Sequence, residues 1–140
     1  MELDDHLYNQ ITALCAEGDK LLERRSFSAA LEQFSSALDL VPNPKNRWHA
    51  SVWINTALGD THFFMKDFEN AKNAFYDAYN GPDATGNPFV NLRLGQCLFE
   101  LNEMEKAEDF LLRAYMLEGE DIYDSENPKY LRYMRSKYDL

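Results

Sequence analysis

Apolar side chains recur along this chain every three or four residues, the spacing that places them on one face of an α-helix. In WINTALGDTHFFMKDFENAKNAF (53–75) two amphipathic helices are joined by a short KDF turn. One side of the first helix looks polar yet carries Trp53, Phe63 and Phe64. The breakers PNP (42–44) and NGPDATGNP (80–88) divide the helical stretches. KNRWHAS (45–51) reads as extra first turns of the third helix.

Three segments superimpose in register. Gly18, Gly59 and Gly95 are each followed twelve residues later by Ala30, Ala71 and Ala107, and seven after that by Ala37, Ala78 and Ala114. Phe34, Phe75 and Leu111 lie four residues beyond the first alanine, and Phe27, Phe68 and Met104 end the intervening turns. Small residues let paired antiparallel helices approach closely, and the large ones fill the volume between them. One such pair cannot bury both flanks, so about three stacked units are needed.

This pattern resembles the tetratricopeptide repeat, a helix-turn-helix unit of about 34 residues. The resemblance covers residues 11 to 119 and implies an all-α superhelix. Its three helix-turn-helix repeats fall at about 11–44, 45–82 and 88–119, within a single domain over 1–140. The copies are imperfect: Leu14, Asn55 and Asn91 stand where the family usually has Trp, and Glu17 where Leu is usual. Pro128 opens a further helix, about 127–138, with Tyr130, Leu131, Met134 and Tyr138 at helical spacing. It is expected to cap the last repeat.

At about 100° per residue, repeat positions two, five, nine, twelve and thirteen share the side that lines the concave surface of such an array. These are Thr12, Cys15, Asp19, Leu22 and Glu23 in the first repeat, and Trp53, Thr56, Asp60, Phe63 and Phe64 in the second. The third supplies Phe89, Leu92, Gln96, Phe99 and Glu100, with Arg93 a lone cation beside them. The expected partner-binding residues are Asp19, Glu23, Trp53, Asp60, Phe63, Phe64, Phe89, Arg93, Gln96, Phe99 and Glu100. Together they describe an aromatic groove edged by carboxylates, as at protein interfaces. The alternative is that neighbouring helices or the C-terminal segment bury those rings. Trp48 and Trp53 are five apart and should project from different sides of a helix, one into the core and one into the groove.

Charge narrows the partner. The 140 residues carry a formal net charge of −10, which disfavours nucleic acid, whose binding depends on Lys and Arg. Lys129, Arg132, Arg135 and Lys137 against Asp139 make residues 128–140 basic, opposite in sign to the repeats, so this tail could also fold over the groove. Cys15 and Cys97 lack metal-ligand spacing and read as packed thiols. The N-terminus has no signal-peptide pattern, and no apolar run approaches the ~20 residues of a membrane span. A cytoplasmic protein without cofactor or metal, monomeric or weakly dimeric, is expected. His6, His49 and His62 are scattered, and neither a phosphate loop nor a catalytic set is present, so the chain reads as a non-enzyme.

A protein-binding module is therefore expected. Some tetratricopeptide proteins clamp a chaperone's C-terminal carboxylate with Lys and Asn, but the corresponding positions here hold Cys15, Thr56, Leu92, Asp19, Asp60 and Gln96. The phrases GDKLLERRSFSAALEQFSSALDLVP, LGDTHFFMKDFENA and NPKYL resemble short bacterial tetratricopeptide proteins encoded beside polymorphic toxins. That resemblance implies an immunity protein that neutralises a basic toxin by occlusion. The alternative is a scaffold or secretion chaperone that holds an amphipathic helix or peptide of a client.

Overall fold

The computed structural model describes residues 3–140, which form seven α-helices: α1 (Asp5–Glu23), α2 (Phe27–Leu40), α3 (His49–Phe64), α4 (Phe68–Tyr79), α5 (Pro88–Glu100), α6 (Met104–Glu118) and α7 (Pro128–Lys137). Local chemistry sets many of the boundaries. The side chains of Asp4, Asp67, Asn87 and Asn127 accept hydrogen bonds from the first free backbone N–H groups of α1, α4, α5 and α7. Pro88 and Pro128 occupy first-turn positions, where no N–H is needed.

The three hairpins turn in one way. Arg25, Lys66 and Asn102 each adopt a left-handed conformation, with φ of 61°, 63° and 62°. In each case the following residue donates its N–H five residues back: Ser26 to Leu21, Asp67 to His62, and Glu103 to Leu98. Glycine usually serves at such a helix end. Here side-chained residues do, which leaves three polar side chains projecting from one end of the array.

The repeated glycines sit at the closest helix approaches. A Cβ on Gly18 would lie 2.6 Å from the Phe34 ring, on Gly59 2.7 Å from the Phe75 ring, and on Gly95 2.6 Å from Leu111. Phe34, Phe75 and Leu111 are fully buried, as are Ala30, Ala71 and Ala107. The α1/α2, α3/α4 and α5/α6 pairs stack in order, and α1 meets α3 as α3 meets α5. The odd-numbered helices therefore line the inner side.

Two boundaries differ from expectation. α1 begins at Asp5, six residues before the first repeat, because Asp4 caps it there. KNRWHAS extends α3 only in part: His49, Ala50 and Ser51 open the helix, whereas Lys45–Arg47 form a separate short turn and Trp48 is extended ahead of them. Lys45 explains this, since its ammonium donates to the carbonyls of Leu38 (2.9 Å) and Val41 (2.7 Å), satisfying the end of α2. α7 packs Tyr130 and Met134 against Leu92, Leu111, Ala114 and Tyr123, and so covers the flank of the last repeat.

Candidate functional site

The inner side is built unequally along its length. On α1, Asp19 and Glu23 are exposed. On α3, Trp53 keeps 37% and Phe64 42% of its surface in solvent, while Asp60 and Phe63 are half-buried. Phe63 lies edge-on to Phe64 and Phe68, with ring centroids 5.8 and 5.6 Å apart. On α5, the face expected to line the groove is largely covered. Phe99 packs edge-on against Tyr130 and Tyr133 of α7 at 5.2 and 5.3 Å. Glu100 accepts a hydrogen bond from the Tyr130 hydroxyl at 2.7 Å and pairs with Lys129.

Arg93 is not a lone cation. Its Nε donates to Asp60 at 2.9 Å, and its Nη1 pairs with Glu126 and donates to Gln96 Oε1 at 2.7 Å. The guanidinium carbon lies 4.7 Å from the ring centres of both Phe63 and Phe89, and 5.7 Å from that of Phe64. Phe89, half-buried, is thus engaged by the protein's own cation. Burial opposes the Arg93 charge, but Asp60 and Glu126 outweigh it and hold the group above its ordinary pKa. Burial likewise raises Asp60, and Arg93 offsets this only in part. Gln96 is fully buried and donates its amide to Glu126 at 2.8 Å. Arg93 and Gln96 therefore tie α3, α5 and the segment before α7 together beneath the surface.

Three openings follow the inner side. Asp19, Leu22, Glu23, Arg25, Phe27 and Phe64 enclose about 490 Å³ between the ends of α1 and α3. An adjoining hollow of about 430 Å³ shares Arg25 and Phe64 and continues over Phe63, Phe68, Lys129 and Tyr130. At the other end of α3, Leu3, Asp5, Tyr8, Trp48, His49, Ala50 and Trp53 line about 370 Å³. Trp48 packs half-buried against the core cluster of Ile11, Val41 and Ile54 while Trp53 stays on the inner side, as expected, and both also border this pocket. Trp48 is extended and precedes the helix, so helical angles do not apply to it.

The rim is also not uniformly acidic. Arg25, Lys66 and Lys129 stand beside Glu100 and Glu126 in the second hollow. Arg25 and Lys66 project from the left-handed turns, a placement the repeat positions alone did not indicate. Tyr8, 49% exposed, was legible: continuing the four-three-four spacing of Asp19, Cys15 and Thr12 backwards reaches it. Glu126 carried no such signal. Both thiols are free and packed, and burial pushes Cys15 up to about 11 and Cys97 to about 12.

A family model described as tetratricopeptide repeat matches residues 54–80 and 90–121, which spans most of α3 with α4 and most of α5 with α6. A solved structure described as the first TPR of Spaghetti (RPAP3) bound to HSP90 peptide SRMEEVD is similar to the whole array. It covers 91% of this chain and 90% of that one, with a TM-score of 0.71 and 19% identity. The fold is a tetratricopeptide array. The family model omits the first hairpin, which nevertheless keeps Gly18, Ala30, Phe34 and Ala37 in the tetratricopeptide register. No curated protein matches the chain. Among the described residues, no helix is long and apolar enough to cross a membrane.

Proposed function

We propose that this chain is a non-enzymatic tetratricopeptide module that holds a peptide or amphipathic helix of a client protein along the inner side of α1 and α3. The supporting observation is that α3 leaves two large rings, Trp53 and Phe64, in solvent toward opposite ends of one helix, on the side that also exposes Tyr8 of α1. Exposed aromatics beside polar rims are characteristic anchors for partners. The two residues are eleven apart, so the anchors stand roughly 16 Å from one another along the helix. A client spans that distance with about three helical turns or about five extended residues. The similarity to a tetratricopeptide structure described with a bound peptide supports the same reading.

The mixed rim favours a client segment with both charge signs. Neutralisation of a basic toxin is a second reading, favoured by the net charge of −10. The two separate by salt: a steered basic partner loses association rate steeply as ionic strength rises, whereas a segment held by apolar anchors loses little.

Peptides selected from a random display library test the proposal. Trp53→Ala and Phe64→Ala should each weaken the selected peptide by about 10-fold or more with melting nearly unchanged, as hot-spot anchors do. Met116→Ala, on the outer face of α6, should leave affinity unaltered. Recovery of no binding peptide, or binding indifferent to both inner-side substitutions, would refute it.

A further inference from the structure

We infer that the pocket at the Trp53 end is a receptor for an arginine side chain of the client. This deepens the client-binding reading and rests on it. Three aromatic residues, Tyr8, Trp48 and Trp53, line one opening together with the Asp5 carboxylate. Asp5 is exposed and unpaired with any Lys or Arg among the described residues, and none of these cations lines the pocket. His49, which also lines it, is engaged by Asp83 at 2.9 Å. The Trp48 indole nitrogen is buried, so the ring offers carbon surface to the opening. Ring faces attract a cation, and indole attracts it most strongly.

The same molecule already holds a guanidinium in this manner. Arg93 lies 4.7 Å from two ring centres, with a carboxylate at 2.9 Å. The Trp53 pocket offers the same kinds of group, rings and a carboxylate, with one lining acid where Arg93 has Asp60 and Glu126, and without the cation. A planar guanidinium stacks on rings and forks onto a carboxylate, whereas an ammonium is a hydrated point charge, so arginine is preferred to lysine. The N-termini of α1 and α3 both border the pocket, and each opposes a cation with about half a positive charge. The Asp5 carboxylate and that of Asp4, which caps α1, offset this, and the ring faces add the attraction that favours a cation.

The chain's two tryptophans both line this pocket, so intrinsic fluorescence reports on it specifically. The probes are acetyl-arginine amide, its neutral isostere acetyl-citrulline amide, acetyl-lysine amide and acetyl-glutamate amide, titrated into the full chain. Arginine should give a saturable change with Kd on the order of 10 mM or tighter, lysine a weaker one, and citrulline and glutamate none. Asp5→Asn should raise the arginine Kd about fivefold, the range of an exposed ion pair, and Tyr8→Leu should weaken it further, both with melting unchanged. Equal binding of citrulline, preference for glutamate, an unaltered Kd in Asp5→Asn, or no saturable response to arginine would overturn the inference. Library peptides that bind through Trp53 and Phe64 but carry no arginine would remove it while leaving client binding intact.

Discussion

Replacing Arg93 by methionine removes the guanidinium while keeping most of the side chain's apolar volume. The Arg93 side chain is 7% exposed, and its partners Asp60 and Glu126 are 21% and 14% exposed. The substitution leaves two largely buried carboxylates without their cation, a change that costs about 3–5 kcal/mol. Contacts of methionine with Phe63 and Phe89 offset part of this, so a loss of about 3 kcal/mol is expected, or roughly 10 °C in Tm. The deficit should depend on pH. Asp60 already titrates above its ordinary 3.8 because of burial, and loss of Arg93 raises it further. A folded pKa above the unfolded one gives a contribution that is complete below 3.8 and lost as pH rises through the folded value. The deficit of Arg93→Met relative to the parent should therefore be largest near neutrality and shrink as pH is lowered toward 3.8. Adding Asp60→Asn and Glu126→Gln should return stability to within about 1 kcal/mol of the parent at neutral pH. Urea unfolding followed by circular dichroism measures all three proteins. A single substitution within about 1 kcal/mol of the parent, or a triple variant no better than the single one, would refute the buried-network reasoning.

Other substitutions test the packing. Gly95→Ala should cost more than Gly59→Ala, about 2 against about 1 kcal/mol after the helix-propensity gain. The reason is that the new Cβ would lie 2.9 Å from the backbone nitrogen of Leu111, which cannot rotate away, whereas at Gly59 its three nearest atoms all belong to the Phe75 ring. Gly86→Ala, with open space around it, should be neutral in the same melt. Deleting residues 128–140 should destabilise by about 4 kcal/mol or more, because burial of Tyr130 and Met134 is lost. An intact deletion variant with raised peptide affinity would instead make the segment a removable groove occupant. Neither Cys15 nor Cys97 should be alkylated by iodoacetamide near neutral pH, since both thiols are held protonated. Mass spectrometry of the native protein reads this directly.

The repeat register was legible because it is a steric code: Gly18, Gly59 and Gly95 oppose Phe34, Phe75 and Leu111 at separations that admit no Cβ. The capping helix was legible for a similar reason, since Pro128 and the spacing of Tyr130 and Met134 are local signals. The inner surface was less so. Helical angles place Leu92, Gln96 and Phe99 on one face, but they do not reveal that α7 and Glu126 cover it. Arg93 looked isolated because its partners lie 33 residues away on either side. The start of α3 was misjudged by four residues: KNRW stays outside the helix, with the Lys45 ammonium folded back on the last carbonyls of α2.

The most direct test uses a library-selected peptide carrying benzoylphenylalanine, photo-crosslinked to the protein and mapped by mass spectrometry. Client binding along the inner side predicts adducts within residues 12–23, 53–64 and 127–130, where α1, α3 and the start of α7 face one another. Adducts confined to the outer face of α6, around Met116 and Leu117, would contradict it.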